Sequence, residues 1–239
     1  MKIGVIPARI NSKRFPKKIL ANLNGKPLVA HTVEQVLKSK ELDKVVLAID
    51  SDETRNALKS FDFDLFMTSK HHQSGTDRVA EVIKSFPEAE IVINIQGDEP
   101  LVNPLLIDDL VNLFKDGDEV QVVTPIRKNL KPKDLINSNV VKAIIDEKKN
   151  VIDFKRNIQD FEIGGVYRHI GMYGYRRGAL FKFTGLEKSK REDKEKLEQL
   201  RLLDNKINIK GLIASYNSIS VDTIDDLNKV KFMLKNNFS

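Results

Sequence analysis

Five short segments hold the side chains that could do chemistry in this sequence. The first is Pro7-Ala8-Arg9 with Asn11-Ser12-Lys13-Arg14-Phe15-Pro16-Lys17-Lys18, directly after the apolar run at 2–6. A loop leaving the C-terminal end of a strand presents backbone N–H groups. Its Arg and Lys side chains suit a triphosphate and the charge that grows on a departing pyrophosphate. The P-loop pattern and the glycine fingerprint for dinucleotides are both absent, so a P-loop ATPase or an NAD enzyme has no support. The second segment, Gln96-Gly97-Asp98-Glu99-Pro100, follows the run at 91–95. A carboxylate there suits Mg²⁺, which takes one or two carboxylates plus phosphate oxygens, although Gly-Asp and Glu-Pro are also ordinary turn chemistry. The third, Val221-Asp222-Thr223, puts an Asp before the last helix, where capping is its plain role and Thr223 or Asp225 could cap instead.

The fourth segment is His71-His72-Gln73-Ser74-Gly75-Thr76-Asp77-Arg78, at the start of a helical period. Adjacent histidines seldom face one ion, so zinc is not expected. Ser74-Gly75-Thr76 reads as a cap and a surface for close approach of a flat base or a sugar. The fifth pairs Arg168-His169-Ile170-Gly171-Met172-Tyr173-Gly174-Tyr175 with Leu197-Glu198-Gln199-Leu200-Arg201. A half-buried strand would also show the Tyr173, Tyr175 alternation, and Glu198 could sit on a solvated helix face.

The elements that must position these groups follow from hydrophobic period. Strands are expected at 2–6, 44–49, 64–67, 91–95 and 120–125, with helices at 27–38, 53–60, 77–86 and 104–114. Such a βαβ series favours a parallel sheet with helices on both faces and ligands at the C-terminal strand ends. Beyond residue 125 the pattern changes. Strands are expected at 140–145, 166–175 and 205–215, one charged helix at 188–204 and a closing helix at 225–235, and the Lys- and Asn-rich stretch 146–165 reads as an excursion. The expectation is α/β: one domain with an inserted subregion.

Composition narrows the function classes. The 239 residues contain no cysteine, which excludes disulfides, thiolate metal sites and a cysteine nucleophile. No apolar run approaches the roughly 18 residues of a spanning helix, and KIGVIPAR lacks a leader pattern, so neither membrane insertion nor export is expected. The net charge of +6 is local. Seven basic residues precede the first acid, Glu34, leaving 33 basic against 34 acidic residues elsewhere. A concentrated patch suits a small polyanion better than a nucleic-acid surface, and with 7% aromatic residues no basic–aromatic interleaving supports a nucleic-acid-binding module.

In order, PAR, SKRFPKK, NGKPL, HQSGTDR, QGDEP, RHIGMYGY, LEQLR and VDT resemble the 3-deoxy-manno-octulosonate cytidylyltransferase (CMP-Kdo synthetase) family over essentially the whole chain. The resemblance implies transfer of CMP from CTP to the C2 hydroxyl of 3-deoxy-D-manno-octulosonate (Kdo), with release of pyrophosphate, for lipopolysaccharide assembly. It implies a nucleotide-diphospho-sugar-transferase-like three-layer α/β sandwich with a mostly parallel sheet. One domain would span 1–239, with about 126–205 serving sugar binding and dimerisation. Magnesium dependence, a homodimer and a cytoplasmic location are likewise implied, with no nucleic-acid partner.

By motif position, the resemblance implies nucleotide contacts from Pro7, Ala8, Arg9, Ser12, Lys18, Ser74 and Gly75, and magnesium carboxylates from Asp98 and Asp222. It implies sugar contacts from Arg78, Gln96, Arg156, His169, Tyr173, Glu198 and Gln199, and catalysis by Arg9, Lys18 and Asp98. A related acid sugar, the 8-amino analogue of Kdo or a nonulosonate, is the alternative acceptor. The chain departs from the family pattern at Lys17, where a Gly is usual, at Lys155-Arg156 for Ser-Arg, and at Ala48-Ile49-Asp50 for Ala-Thr-Asp.

Overall fold

The computed structural model describes residues 1–12, 14–158, 165–216 and 219–236; Lys13 of the basic loop and residues 159–164 of the 146–165 stretch lie outside them. In chain order the elements are β1 (Lys2–Ala8), a 3₁₀ turn at Lys18–Leu20, β2 (Asn22–Leu23), β3 (Lys26–Pro27), α1 (Leu28–Val36), β4 (Lys44–Ile49), α2 (Asp52–Ala57), β5 (Leu65–Met67), α3 (Gly75–Lys84), β6 (Ile91–Asn94) and α4 (Pro104–Asn112). Then follow β7 (Val122–Arg127), α5 (Pro132–Leu135), β8 (Lys142–Ile145), β9 (Val151–Lys155), β10 (Val166–His169), β11 (Tyr173–Arg176), α6 (Arg177–Thr184), α7 (Lys190–Glu195), α8 (Leu200–Asp204), β12 (Ile209–Ile213) and α9 (Ile224–Lys235). The chain forms two compact units, 1–108 with 216–239, and 109–215.

In the first unit β5, β4, β1 and β6 lie side by side, all parallel. Ile3, Val5 and Ile6 of β1 are fully buried, as a strand covered on both faces requires. From β1 the chain steps outward to β4 and β5, then crosses back to β6 on the other side of β1. Right-handed crossovers running in opposite directions place α1 and α3 on opposite faces of the sheet. The reversal leaves a crevice at the C-terminal ends of β1 and β6, the position where open α/β sheets bind ligands.

Two local features deliver the rest of the site to this crevice. Asn24 and Gly25 both have positive φ, 50° and 93°, and form the tight turn between β2 and β3 that an Asn-Gly pair favours. Leu23 and Leu28 around that hairpin pack with Val221, Leu227 and Val230 into one buried cluster, joined by Phe15 and Leu101. Burial of this apolar surface brings the end of the chain back to the basic loop. Lys17 has φ 56° and ψ 27°, left-handed geometry that costs a residue with a Cβ about 1–2 kcal/mol. That is why glycine suits the position. Its ammonium meets Glu53 at 2.7 Å, but the pair is more than half exposed and contributes little. Lys17→Gly is expected to raise the free energy of unfolding by about 0.5–1 kcal/mol, because relief of the strain outweighs glycine's extra chain entropy; urea denaturation measures it, and a drop in stability would contradict this.

In the second unit β7 pairs with β12 in parallel and with β10 and β11 in antiparallel fashion; β10 pairs with β8, and β8 with β9. Two sequence expectations are corrected here. The strand expected at 166–175 is two strands, β10 and β11, separated by a turn in which the N–H of Met172 donates to the carbonyl of Ile170 at 2.7 Å. The single helix expected at 188–204 is broken between α7 and α8, with Lys196 left-handed at φ 54°. The break folds the segment back on itself so that Arg201 reaches Glu192 in a buried two-point ion pair, with distances of 2.6 and 2.7 Å.

Candidate active site

Asp98 stands four residues beyond β6, and its own carbonyl accepts the N–H of Val221 at 2.9 Å. That bond ties the strand-end loop to the residues just before α9. Close packing helps: a Cβ on Gly97 would lie 3.2 Å from the carbonyl oxygen of Pro7, so glycine lets the loop press against β1 without displacing its backbone by a few tenths of an ångström. Asp222 is free of capping duty. Thr223 caps α9 instead, its hydroxyl accepting the N–H of Asp226 while the Asp226 carboxylate accepts the N–H of Thr223, a reciprocal capping box.

The two carboxylates therefore converge, from positions 124 residues apart in sequence. The Lys18 ammonium sits between them, donating to Asp98 Oδ2 and, at 3.0 Å, to Asp222 Oδ1. The Lys18 side chain is only 12% exposed. Burial alone would lower its pKa, but attraction and hydrogen bonding from Asp98, then from Asp222, outweigh that and hold the ammonium above the ordinary lysine value. Arg14, missed by the sequence reading except as part of the basic run, also reaches Asp222 at 2.9 Å.

Around this triad lies a pocket of about 360 Å³ whose walls include Pro7, Arg9, Ser12, Lys18, Gln96 and Asp98. Arg9 is exposed. The structure thus brings together, in one unit, the basic loop and the two aspartates read from the sequence. Among the described residues no group of three or more His, Cys, Asp or Glu side chains gathers as a metal cage. A hard cation of the magnesium type does not need one. Two convergent carboxylates that already embrace one cationic group match its usual share of protein ligands, the remainder being phosphate oxygens and water.

Of the other nucleotide and sugar candidates in this unit, Ser74 caps α3 in a capping box with Asp77, and a Cβ on Gly75 would touch Pro7 Cγ at 3.4 Å. The helix start therefore abuts the end of β1. Gln96 lines the pocket. Arg78, read as a sugar contact, is only 3% exposed and faces Asp50 and Thr68.

The second unit gathers the remaining candidates. The His169 ring lies 5.0 Å from Phe154 and 5.4 Å from Tyr173, and its Nε2 is 3.1 Å from the Thr124 hydroxyl. Burial drives its pKa down to about 3, so the ring is neutral at physiological pH. Burial also raises the Tyr173 hydroxyl's pKa, with smaller pushes from Tyr175 and from the charge of Glu198. Gln199 is 8% exposed, at the start of α8. Arg156 is spent differently from a free fork: it donates to the carbonyls of Glu195 at 2.7 Å, Lys196 at 2.9 Å and Ser138 at 2.8 Å. It pins the bend that precedes Glu198 and Gln199. The fully buried Lys142, absent from the sequence reading, supports the same corner through the carbonyls of Asn137 and Arg156.

Comparison with known proteins adds a second line. A family model described as cytidylyltransferase matches residues 3–209. The chain is 43% identical over 237 residues to the 3-deoxy-manno-octulosonate cytidylyltransferase of Chloroherpeton thalassium, covering 96% of each chain. It is 40% identical over 242 residues to the protein of the same name from Thermodesulfovibrio yellowstonii, covering 94% of each. Among solved structures it resembles a CMP:2-keto-3-deoxy-manno-octonic acid synthetase in complex with CTP, with a TM-score of 0.92 and 32% identity, over 99% of this chain and 100% of the other. The fold is that of the nucleotide-diphospho-sugar transferases.

Proposed function

The chain belongs to the 3-deoxy-manno-octulosonate cytidylyltransferase family, and on that premise we propose how its residues carry out the reaction: CMP passes from CTP to the C2 hydroxyl of Kdo, and pyrophosphate leaves. The observation that supports this reading most is the convergence of Asp98, Asp222 and Lys18 beside Arg9 and Ser12 in a pocket large enough for a triphosphate.

The sugar's C2 oxygen attacks the α-phosphorus in line with the bridging oxygen to the β-phosphorus. The new P–O bond forms as the old one breaks, and the hydroxyl proton is lost to solvent. No protein nucleophile takes part. Arg9, Ser12 and the backbone N–H groups of the loop hold the β- and γ-phosphates. Lys18 turns from the carboxylates to a phosphate oxygen and offsets the negative charge that grows on pyrophosphate. Asp98 and Asp222 would hold magnesium, which when bound neutralises phosphate charge and acidifies the attacking hydroxyl. Neutral His169, Tyr173, Glu198 and Gln199 serve the hydroxyls of the acid sugar, while Arg156 fixes the bend that carries the last two. Family membership extends the reading to a magnesium-dependent homodimer of the cytoplasm that serves lipopolysaccharide assembly; among the described residues no helix is long and apolar enough to cross a membrane.

Pyrophosphate release from each of four nucleoside triphosphates, with Kdo, its 8-amino analogue and a nonulosonate as acceptors, tests the assignment. CTP with Kdo is expected to be the fastest pair. Faster turnover of another acid sugar would reassign the acceptor, and equal turnover of the four triphosphates would remove the nucleotide assignment.

A further inference from the structure

Arg78 is a buried cation with a specific use in the fold. It projects from the first turn of α3, and one guanidinium nitrogen donates to Asp50 Oδ2 at 3.0 Å. The other donates to the hydroxyl of Thr68, which itself donates to the carbonyl of Ile49 at 2.8 Å. Asp50, the residue after β4, is 5% exposed. Its second oxygen, Oδ1, accepts the backbone N–H of Ile10 at 2.9 Å. Ile10 lies between Arg9 and Ser12, in the loop that leaves β1. One chain of contacts, buried up to its last, half-buried link at Ile10, thus runs from α3 through the end of β4 to the backbone of the basic loop. Ala8 and Ile49 are directly paired in the parallel ladder, so Asp50 and the loop start side by side. The ladder ends there, and the Asp50 carboxylate continues the grip by one more residue.

We propose that Arg78 and Asp50 are positioning residues for the nucleotide: Arg78 orients the Asp50 carboxylate, which fixes the Ile10 N–H and so the direction in which Arg9 and Ser12 meet the triphosphate. This rests on the reading of the loop as the triphosphate site. It gives Arg78 a role other than contact with the sugar. The carboxylate is well suited to the task, because a charged acceptor binds a backbone N–H more strongly than a neutral one, and the Arg78 guanidinium holds its other oxygen at 3.0 Å. Without Arg78 the carboxylate would be left buried against a single N–H, free to turn or to draw water in.

CTP binding by titration calorimetry and KM values for both substrates test this in Arg78→Met, Arg78→Lys, Asp50→Ala, the double variant Asp50→Ala/Arg78→Met, and Arg9→Ala. Arg78→Met and Asp50→Ala are each expected to weaken CTP binding about tenfold, one lost charge-assisted hydrogen bond's worth, with KM for Kdo changed less than about twofold. The double variant should be no worse than the worse single one, since both act through the one bond to Ile10. Arg78→Lys should recover most of the affinity. It also stands in if Arg78→Met does not fold, with a smaller CTP defect than Asp50→Ala as the required result. A purely structural ion pair would lower the melting temperature yet leave CTP affinity of the folded variants unchanged, and that result overturns the proposal. So does a rise in KM for Kdo alone. Arg9→Ala separates the two levels. Weakened CTP binding there, with unchanged binding in the Asp50 and Arg78 variants, rejects only the positioning role; unchanged binding in all of them rejects the loop as the triphosphate site as well.

Discussion

Asp98→Asn is expected to lower kcat for CMP transfer about 10³-fold or more, because it removes one of the two carboxylates proposed to hold the magnesium that would neutralise phosphate charge. The substitution keeps side-chain volume and leaves the structural contact of this loop alone, since it is the Asp98 backbone carbonyl that accepts from Val221. Lys18 retains its 3.0 Å bond to Asp222. Circular dichroism and the melting temperature should therefore match the parent protein. Near-normal turnover in a folded Asp98→Asn protein would remove this aspartate from the reaction; loss of turnover together with loss of fold would assign it a structural role.

Lys18→Ala is the second large effect. Its ammonium has two jobs in sequence. In the structure it holds two carboxylates together, and in the proposed reaction it offsets charge on the leaving pyrophosphate. Removing one such donor from a transition state costs about 2–4 kcal/mol, or about 30- to 10³-fold in kcat/KM. Most of the loss should fall on kcat, because Arg9 and Ser12, which line the same pocket, remain as the proposed holders of the ground-state phosphates. Arg14 keeps its 2.9 Å contact with Asp222, so that carboxylate is not left bare. An unchanged kcat/KM would eliminate the transition-state role, and a rise in KM for CTP with kcat unchanged would reduce Lys18 to ordinary binding.

Much of this arrangement was legible in the sequence, for reasons that can be named. The runs at 2–6, 44–49 and 91–95 are continuous and rich in β-branched residues because β1, β4 and β6 sit in a parallel sheet. The chemistry-bearing segments follow those runs because such sheets bind at strand ends. What could not be read were the consequences of tertiary packing. No local pattern announces that Asp222 meets Asp98; the buried cluster of Leu23, Leu28, Val221, Leu227 and Val230 brings them together. The helix expected at 188–204 breaks at Lys196, and the Glu192–Arg201 pair and the carbonyls gripped by Arg156 show why. The resemblance implies a sugar contact at Arg78, yet burial beside Asp50 turns it inward. The Asn24-Gly25 turn, by contrast, was visible in the sequence and was passed over as part of a motif.

The most direct measurement concerns the two aspartates themselves. Mn²⁺ in place of magnesium can be followed by its enhancement of water-proton relaxation when bound with CTP to the protein. The account predicts a strong protein-dependent enhancement for the parent chain, sharply reduced in both Asp98→Asn and Asp222→Asn. Equal enhancement in the parent and in both variants would mean that the cation travels with CTP alone, and would contradict a site built from positions 98 and 222.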